Sequence, residues 1–481
     1  MRGGGLTRIR QRAARIVGGA AARVQRPSEK FTPEYWKLSR GPGEELEFEG
    51  VSLAGLADEH GTPLHVFMPS KLRRNIELFH GVDLASGGRG DGPTDTSGSL
   101  PSLFFSYKTA PVPGLLRRIH DAGVGAEVIS AQELDLALSL GVPGSHIIYN
   151  GPAKSDASLE RAIQEGIFLI NINHQGEVAR VEEVAARLGS RVRVGLRVTA
   201  GGGWGQQFGE DVDGNALTAA REIVSAPSLD LVALHLHRGH VNSVVEVAEV
   251  AEAGAAFADR LRTTLGVGLE ILDVGGGLWP PTVRELSGVE LRRNSLLQWD
   301  LERFDPQLRY SIAHYVSDTL RLVEHAFSNR GMAMPRVVME PGRALVGDTQ
   351  LLLARVMEIK KARGRDYLIL DTGINIAGPL QNEFHEIYPV KPSSVSGLSK
   401  YKLVGPICVP TDCIRSTWYG PPMNVGDYLV IMDTGAYFVP WSNSFSFPRP
   451  GIIAVEGGAS WVLRRAETLD YLIALDVDEA Q

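Results

Sequence analysis

The sequence predicts an α/β protein with two domains, a (β/α)8 TIM-like barrel and a second, mostly antiparallel β domain. From residue 103 onward, short β-rich runs alternate with amphipathic helical segments, and eight such runs occur. Parallel neighbours need a helical crossover, and eight units over about 240 residues have the length of a closed barrel. After Arg343 the long helical pattern stops, and β-rich runs lie between turn residues. A doubly wound open sheet is the alternative for the first domain, because a count of strands does not show closure.

The eight β-rich runs follow one another in a regular order. They are "LFFSYK", "GAEVIS", "HIIYNG", "FLINI", "RVGLRV", "LVALHLH", "LEILDVGGG" and "PRVVMEPG". Segments between them, such as "AQELDLALSLG" and "SDASLERAIQEG", begin at or near a Ser or Asp that can cap a helix and end at Gly. Each run is therefore predicted to be a barrel strand, and each segment a helix that covers the barrel.

The chain divides into three predicted parts. Residues 1–44 form a basic extension, residues 76–343 the barrel, and residues 45–75 together with 344–481 the β domain. Seven arginines precede Glu29, the first acidic residue. Transit peptides are rich in Arg and poor in acids, but they are also rich in Ser, and this segment is not. A flexible extension is therefore favoured over a targeting signal, and its role stays open.

The composition is that of a soluble globular protein. The net charge is -7, with 43% hydrophobic and 22% charged residues. A negative chain has no electrostatic basis for binding nucleic acid or an anionic membrane. Its two cysteines, Cys408 and Cys413, cannot form a disulfide framework, which favours a reducing cytoplasm. We therefore expect a cytoplasmic protein without a membrane span.

Several chemically reactive residues fall at the carboxyl ends of the predicted strands, where barrels place their active sites. Lys108 ends the first strand, His237 ends the sixth, and Glu340 ends the eighth. Gly275, Gly276 and Gly277 follow the seventh strand. The sequence therefore predicts that all these residues lie on one rim of the barrel.

These residue types together indicate pyridoxal 5′-phosphate as the cofactor. Three glycines let backbone N–H groups approach a phosphate, and Arg343 adds a charge-assisted contact. Lys108 can form a Schiff base, and Glu340 can pair with the pyridine nitrogen. His237 can stack on the ring. A plain flexible turn is the alternative for the glycines alone.

The motifs resemble those of fold-type III pyridoxal-phosphate decarboxylases, the diaminopimelate and ornithine decarboxylase family, whose two-domain architecture is that of alanine racemase. The matching segments span residues 103–437 and are "FSYKTA", "GAEVISAQEL", "LHLHRGH", "DVGGG", "EPGR", "GPICVPTD" and "DTGAY". The resemblance implies that Lys108 is the Schiff-base lysine and that Tyr437 contacts the phosphate. It also implies a homodimer, in which Cys408 crosses the interface and protonates the substrate carbon after CO₂ leaves.

The chain departs from the family pattern at positions that contact the cofactor and the substrate. His240 stands where the family has a phosphate-binding serine. Val409 replaces the acidic residue after the cysteine, and Gly378 stands in place of an arginine. With Cys408 and Asp412, these last two are the expected substrate-binding positions. The absence of both charges predicts an amino-acid substrate with an unusual or conjugated side chain.

Three alternatives compete with this prediction. His235, His237 and His240 suggest zinc, but no group of Asp, Glu or Cys accompanies them, so we expect no metal. An amino acid racemase of the same fold has Arg near the pyridine nitrogen, so Glu340 favours a decarboxylase. A catalytically silent relative that binds the cofactor or regulates a partner would not need Lys108, Glu340 and Cys408.

Overall fold

The structure is a computed structural model, and it describes residues 32–81, 100–200, 207–362, 364–393 and 395–477. The predicted basic extension therefore lies outside the described residues up to residue 31. No helix in the described ranges is long and apolar enough to cross a membrane.

The chain forms two compact units, and each is composed of separate chain segments. The sheet unit comprises Met1–Ser70, Pro281–Leu308 and Asp348–Gln481. The barrel unit comprises Lys71–Pro280 and Arg309–Gly347. Residues 281–308, which the expected barrel range included, are thus grouped with the sheet unit.

The barrel unit is a closed parallel barrel. Its eight strands, in chain order, are Ser102–Ser106, Gly125–Val128, Ile147–Tyr149, Leu169–Ile172, Val192–Thr199, Leu229–His235, Ile271–Asp273 and Arg336–Met339. Each strand pairs in parallel with the next, and the eighth pairs with the first through Val338 opposite Ser102. A short strand, Glu210–Asp211, pairs with the fifth strand. The barrel prediction is confirmed, and closure excludes the open sheet.

Helices connect the barrel strands, and their caps are visible in the sequence. The bounds are Pro69–Phe79, Pro113–Asp121, Ala131–Ser139, Asp156–Gln164, Val178–Arg187, Ala216–Ser225, Val244–Leu265, Ile312–Ser328 and Arg343–Val346. The longest begins with a capping box formed by Ser243 and Glu246 and ends at Gly266, whose φ of 70° permits the left-handed cap. Serine side chains also cap the N-termini of Ala131–Ser139, Asp156–Gln164 and Ile312–Ser328, so these helix starts could be read from the sequence.

The barrel interior is apolar at the end where the strands begin. Phe104, Leu169 and Ile271 belong to one buried cluster, and Phe104 stacks on Phe168 with ring centroids 5.4 Å apart. Because this end is filled by apolar side chains, the polar residues of the strands are left for the opposite end.

The sheet unit contains a nine-stranded sheet with mostly antiparallel pairing, as predicted. Its main path runs through Cys413–Gly420, Ser399–Val404, Arg365–Leu370, Gln350–Ala362, Leu64–Phe67, Ile452–Glu456 and Ala459–Arg464, and Tyr428–Ile431 and Ile387–Pro389 branch from it. Two of its pairings are parallel: Arg365–Leu370 with Ser399–Val404, and Leu64–Phe67 with Ile452–Glu456. The unit also has a small sheet of Leu38–Arg40, Leu46–Phe48 and Val51–Ser52, and helices at Leu53–His60, Gly288–Arg292, Ile374–Ala377, Phe438–Trp441 and Leu469–Ile473.

Residues 281–308 join the sheet unit through backbone and charge contacts. Arg284–Glu285 pairs with Glu383–Phe384 as a two-stranded antiparallel ladder. Arg303 Nε donates to buried Glu386 at 2.7 Å. These contacts explain why this segment groups with the sheet unit although it lies between two barrel elements in the sequence.

Candidate active site

Lys108 lies directly after the first barrel strand and faces a buried carboxylate on the second. Its Nζ is 3.1 Å from Glu127 Oε2. Glu127 also accepts hydrogen bonds from Ser106 Oγ at 2.5 Å and from Asn150 Nδ2 at 3.0 Å. Burial acts to raise the pKa of Glu127, but the Lys108 ammonium and these donors outweigh it and lower the pKa. Glu127 is therefore an anion that holds the lysine amine in place.

Glu340 follows the eighth strand and is buried beside other acids. Its Oε1 accepts from Asn150 Nδ2 at 2.6 Å, and its Oε2 lies 3.4 Å from His235 Nε2. Burial, and then the charges of Asp273 and Glu127, raise the pKa of Glu340 well above its ordinary value. Burial also raises the pKa of Asp273, to about 7. Its protonated, uncharged form is therefore favoured in the protein alone.

The three glycines after the seventh strand form a tight turn that has no space for side chains. Gly275 and Gly277 have φ angles of 65° and 107°, which favour glycine. A Cβ on Gly276 would lie 2.5 Å from the Glu340 carbonyl oxygen. Glu340 N donates to Gly275 O at 2.8 Å, so the turn and the end of the eighth strand are directly connected.

His237 is anchored by this turn and stays neutral. Gly276 N donates to His237 Nδ1 at 3.2 Å. Burial, and then the charges of Lys108 and Arg197, lower the pKa of His237 to about 3. An uncharged imidazole beside the amine and the carboxyl is suited to contact an aromatic ring.

His240, Trp279 and Arg343 form a cluster next to the glycine turn. The His240 ring stacks on the Trp279 indole with centroids 5.4 Å apart and planes 25° apart. The guanidinium carbon of Arg343 is 4.2 Å from the indole centroid. Val241 N donates to Gly277 O at 3.0 Å, which joins the His240 loop to the turn.

Four polar residues of this site were not identified from the sequence: Glu127, Asn150, Asp273 and Arg197. Arg197 lies on the fifth strand, where it interacts electrostatically with Glu340, Glu127 and Asp273. The sequence could have indicated them, because each is a polar residue in or directly after a predicted barrel strand. Such positions need a partner in a barrel interior.

The predicted site residues in the sheet unit, Tyr437, Cys408 and Asp412, differ in their contacts and exposure. Tyr437 has a φ of 68° and its ring lies 5.3 Å from that of Trp441. Cys408 is exposed. Asp412 accepts from Ile374 N and Ile407 N, both at 2.9 Å. Both of its carboxylate oxygens thus bind backbone and hold two loops of the unit together.

The residues of the barrel rim fit a phosphorylated pyridine cofactor. An amine, a carboxyl with a raised pKa and a turn of three glycines are groups that such a molecule requires. His235, His237 and Glu340 also each offer an atom within 4.8 Å of the others, a set that could ligate a metal. Ligands must be deprotonated to bind a metal, and the raised pKa of Glu340 opposes this.

Comparisons with known proteins agree with this geometry. Residues 97–347 match the family model of the pyridoxal-dependent decarboxylases, pyridoxal binding domain. A diaminopimelate decarboxylase from Aquifex aeolicus is 25% identical, with 90% of this chain and 96% of the relative covered. One from Corynebacterium efficiens is 28% identical, with 89% and 90% covered.

Solved structures share the fold. Diaminopimelate decarboxylase from M. jannaschii, solved with L-lysine, has a TM-score of 0.80 at 22% identity, with 92% of this chain and 98% of that chain covered. Lysine/ornithine decarboxylase from Vibrio vulnificus has a TM-score of 0.67 at 18% identity, with 84% and 97% covered. The closed barrel with a separate, mostly antiparallel sheet is therefore the architecture of these proteins as well.

Proposed function

As a member of the pyridoxal-dependent decarboxylase family, the chain is an enzyme that uses pyridoxal 5′-phosphate to decarboxylate an amino acid, and we propose that this amino acid has a non-standard or conjugated side chain. Membership of the family supports decarboxylation of an amino acid as the general activity. The substrate is a proposal that rests on residues of this chain.

Each rim residue has a proposed role toward the cofactor. Lys108 attaches it covalently, and Glu127 orients the lysine amine through their 3.1 Å contact. Glu340 provides a proton at the pyridine nitrogen, a role favoured by burial and by Asp273, which raise its pKa. His237 contacts the ring, and the glycine turn with Arg343 holds the phosphate. The cofactor, when bound, supplies the electron sink that allows CO₂ to leave the α carbon.

Cys408 is the proposed proton donor to the α carbon after CO₂ has left. A thiol can act as a general acid. Cys408 is exposed in the single chain, as expected for a residue that completes the site of a second copy. We therefore propose a homodimer with sites shared between subunits. Cys408→Ala is expected to slow product formation and to leave the absorbance of the bound cofactor unchanged.

Mixing two impaired variants tests the shared site. Lys108→Ala and Cys408→Ala each damage a different half of it. If subunits exchange at random, half of the dimers are mixed and each has one intact site, so roughly a quarter of wild-type activity returns. If both residues act within one chain, mixing restores no activity, and the shared site is refuted.

The substrate proposal is carried by the absence of charge at Gly378 and Val409. Relatives named diaminopimelate decarboxylase act on a side chain that ends in an ammonium and a carboxylate. Here neither position can pair with such an end, and an unpaired charge costs roughly 1.5–3 kcal/mol of binding. A Cβ on Gly378 meets no atom within 4 Å, so the position is open. A larger, uncharged or conjugated side chain is compatible with these residues.

Two measurements test the substrate class. Wild-type enzyme is incubated with diaminopimelate, lysine, ornithine, and acyl or citryl conjugates of diamino acids, and CO₂ release is measured. A conjugate is expected to give the highest kcat/KM, with Lys108→Ala as the inactive control. The double variant Gly378→Arg with Val409→Glu is expected to raise kcat/KM for diaminopimelate by about tenfold or more. A wild-type preference for free diaminopimelate would contradict the proposal.

A further inference from the structure

The cluster of His240, Trp279 and Arg343 contains a buried donor without a partner. Trp279 is 7% exposed, and its Nε1 has no hydrogen-bond partner among the residues that the structure describes. A buried N–H without an acceptor costs free energy, so native proteins rarely leave one unsatisfied. An acceptor that the protein itself does not supply is therefore expected at this position.

The position of the indole identifies the acceptor. Trp279 comes two residues after Gly277, the last residue of the turn that is proposed to hold the phosphate. Its ring contacts His240, which stands where related sequences have a phosphate-binding serine, and Arg343, a proposed phosphate ligand. An indole N–H can only donate, so it suits an anion that has only acceptor oxygens.

We propose that Trp279 Nε1–H donates a hydrogen bond to the phosphate of the cofactor and takes over the role that the serine hydroxyl has in related sequences. The inference rests on the proposed cofactor site. His240 is the positioning residue: its ring stacks on the indole and fixes the plane of the donor. Its loop is tied to the turn by Val241 N to Gly277 O and by the bridge between Val241 and Leu278. Arg343 contacts the indole face and adds positive charge.

The first test compares affinity for pyridoxal 5′-phosphate with affinity for pyridoxal, which lacks the phosphate. Trp279→Phe keeps an aromatic ring and removes the donor. Cofactor affinity, measured by absorbance titration, is expected to fall about tenfold or more for the phosphorylated form. Affinity for pyridoxal is expected to stay within about twofold, because the bond that the variant removes is to the phosphate. Equal affinity of variant and wild type for the phosphorylated form, or an equal reduction for both forms, would overturn the proposal.

The chain offers a matched control. Trp299 also has a buried Nε1 without a partner among the described residues and a ring that contacts an arginine, Arg293, at 5.8 Å. Its carbonyl oxygen accepts from Asn294 Nδ2 at 2.8 Å, so these contacts lie within its own segment, to which no cofactor role is assigned. Trp299→Phe is expected to leave both affinities unchanged, so a general effect of removing an indole donor is separated from a specific contact.

A second measurement follows the indole N–H itself in the wild-type chain. The chain has seven tryptophans, and with ¹⁵N-labelled indoles the Trp279 resonance is the one missing in Trp279→Phe. Addition of pyridoxal 5′-phosphate is expected to shift the resonance of the Trp279 indole N–H proton downfield. Addition of pyridoxal is expected to leave it in place. His240→Ala is expected to weaken cofactor binding in the wild type and not in Trp279→Phe. An unmoved resonance with bound cofactor refutes this inference alone, whereas no cofactor binding at all refutes the proposed site.

Discussion

Replacing Gly276 with alanine tests how the glycine turn positions the residues around it. The added Cβ would lie 2.5 Å from the Glu340 carbonyl oxygen and 3.8 Å from His237 Cε1. Ordinary contact begins at 3.4 Å, so the carbonyl must withdraw by about 0.9 Å. Both sides of the clash are backbone or fixed to it, which prevents a side chain from moving aside.

The expected cost is about 1–3 kcal/mol, the range for overpacking a close-packed site. Two of the hydrogen bonds at this turn join it to proposed site residues, Glu340 N to Gly275 O and Gly276 N to His237 Nδ1. The shift therefore displaces both of them. We expect the free energy of unfolding of the cofactor-free protein to fall by this amount, and cofactor affinity to fall roughly 5- to 150-fold.

Gly268→Ala is the matched control in the same unit. A Cβ there meets no atom within 4 Å, and the residue is exposed. Its stability is expected to stay unchanged or to rise by about 0.4–1 kcal/mol, because alanine restricts the unfolded chain. Unfolding in urea and absorbance titration of the cofactor measure both quantities. If Gly276→Ala behaves like Gly268→Ala in both assays, the packing argument is wrong.

Other predictions concern groups outside the site. Lys154→Met removes the ammonium that lies 3.0 Å from buried Glu177, and it is expected to lower the free energy of unfolding, measured in urea, by about 3–5 kcal/mol. The double variant Lys154→Met with Glu177→Gln is expected to lower it by less, because no unpaired charge is left buried. Burial lowers the pKa of His65 to about 3, so the folded state stays neutral where the unfolded state is protonated. Neutral His65 therefore contributes to the free energy of unfolding above pH 6.5, and this contribution is lost as the pH falls. The free energy of unfolding is expected to decrease by about 2 kcal/mol between pH 7 and pH 5 because of His65, and His65→Gln should remove this part of the pH dependence. Trp36→Phe removes the 2.7 Å bond to Asp433 and is expected to cost about 1.5–3 kcal/mol, with unchanged stability refuting this estimate.

The barrel could be predicted because its signal is local and repeated. Each strand and its following helix show their own apolar pattern and cap, and eight repetitions reinforce one another. The positions of Lys108 and Glu340 followed from the same rule, since strand ends of a barrel converge. Their proposed roles stay predictions.

Other features could not be predicted because they depend on contacts between distant residues. Residues 281–308 leave the barrel to pair with Glu383–Phe384, about a hundred residues later, and nothing in their own pattern indicates that partner. The lowered pKa of Glu127 depends on Lys108 at the end of the neighbouring strand, and the raised pKa of Glu340 depends on burial and on Asp273. Such couplings appear only once the barrel is closed.

The central position of Leu64–Phe67 in its sheet has a consequence for synthesis. Both of its neighbours, Gln350–Ala362 and Ile452–Glu456, are translated several hundred residues later. As the chain emerges from the ribosome, this apolar strand has two free edges until almost the whole protein is made. Unpaired edges promote association with other chains. A chaperone that binds nascent chains is therefore expected to contact this segment.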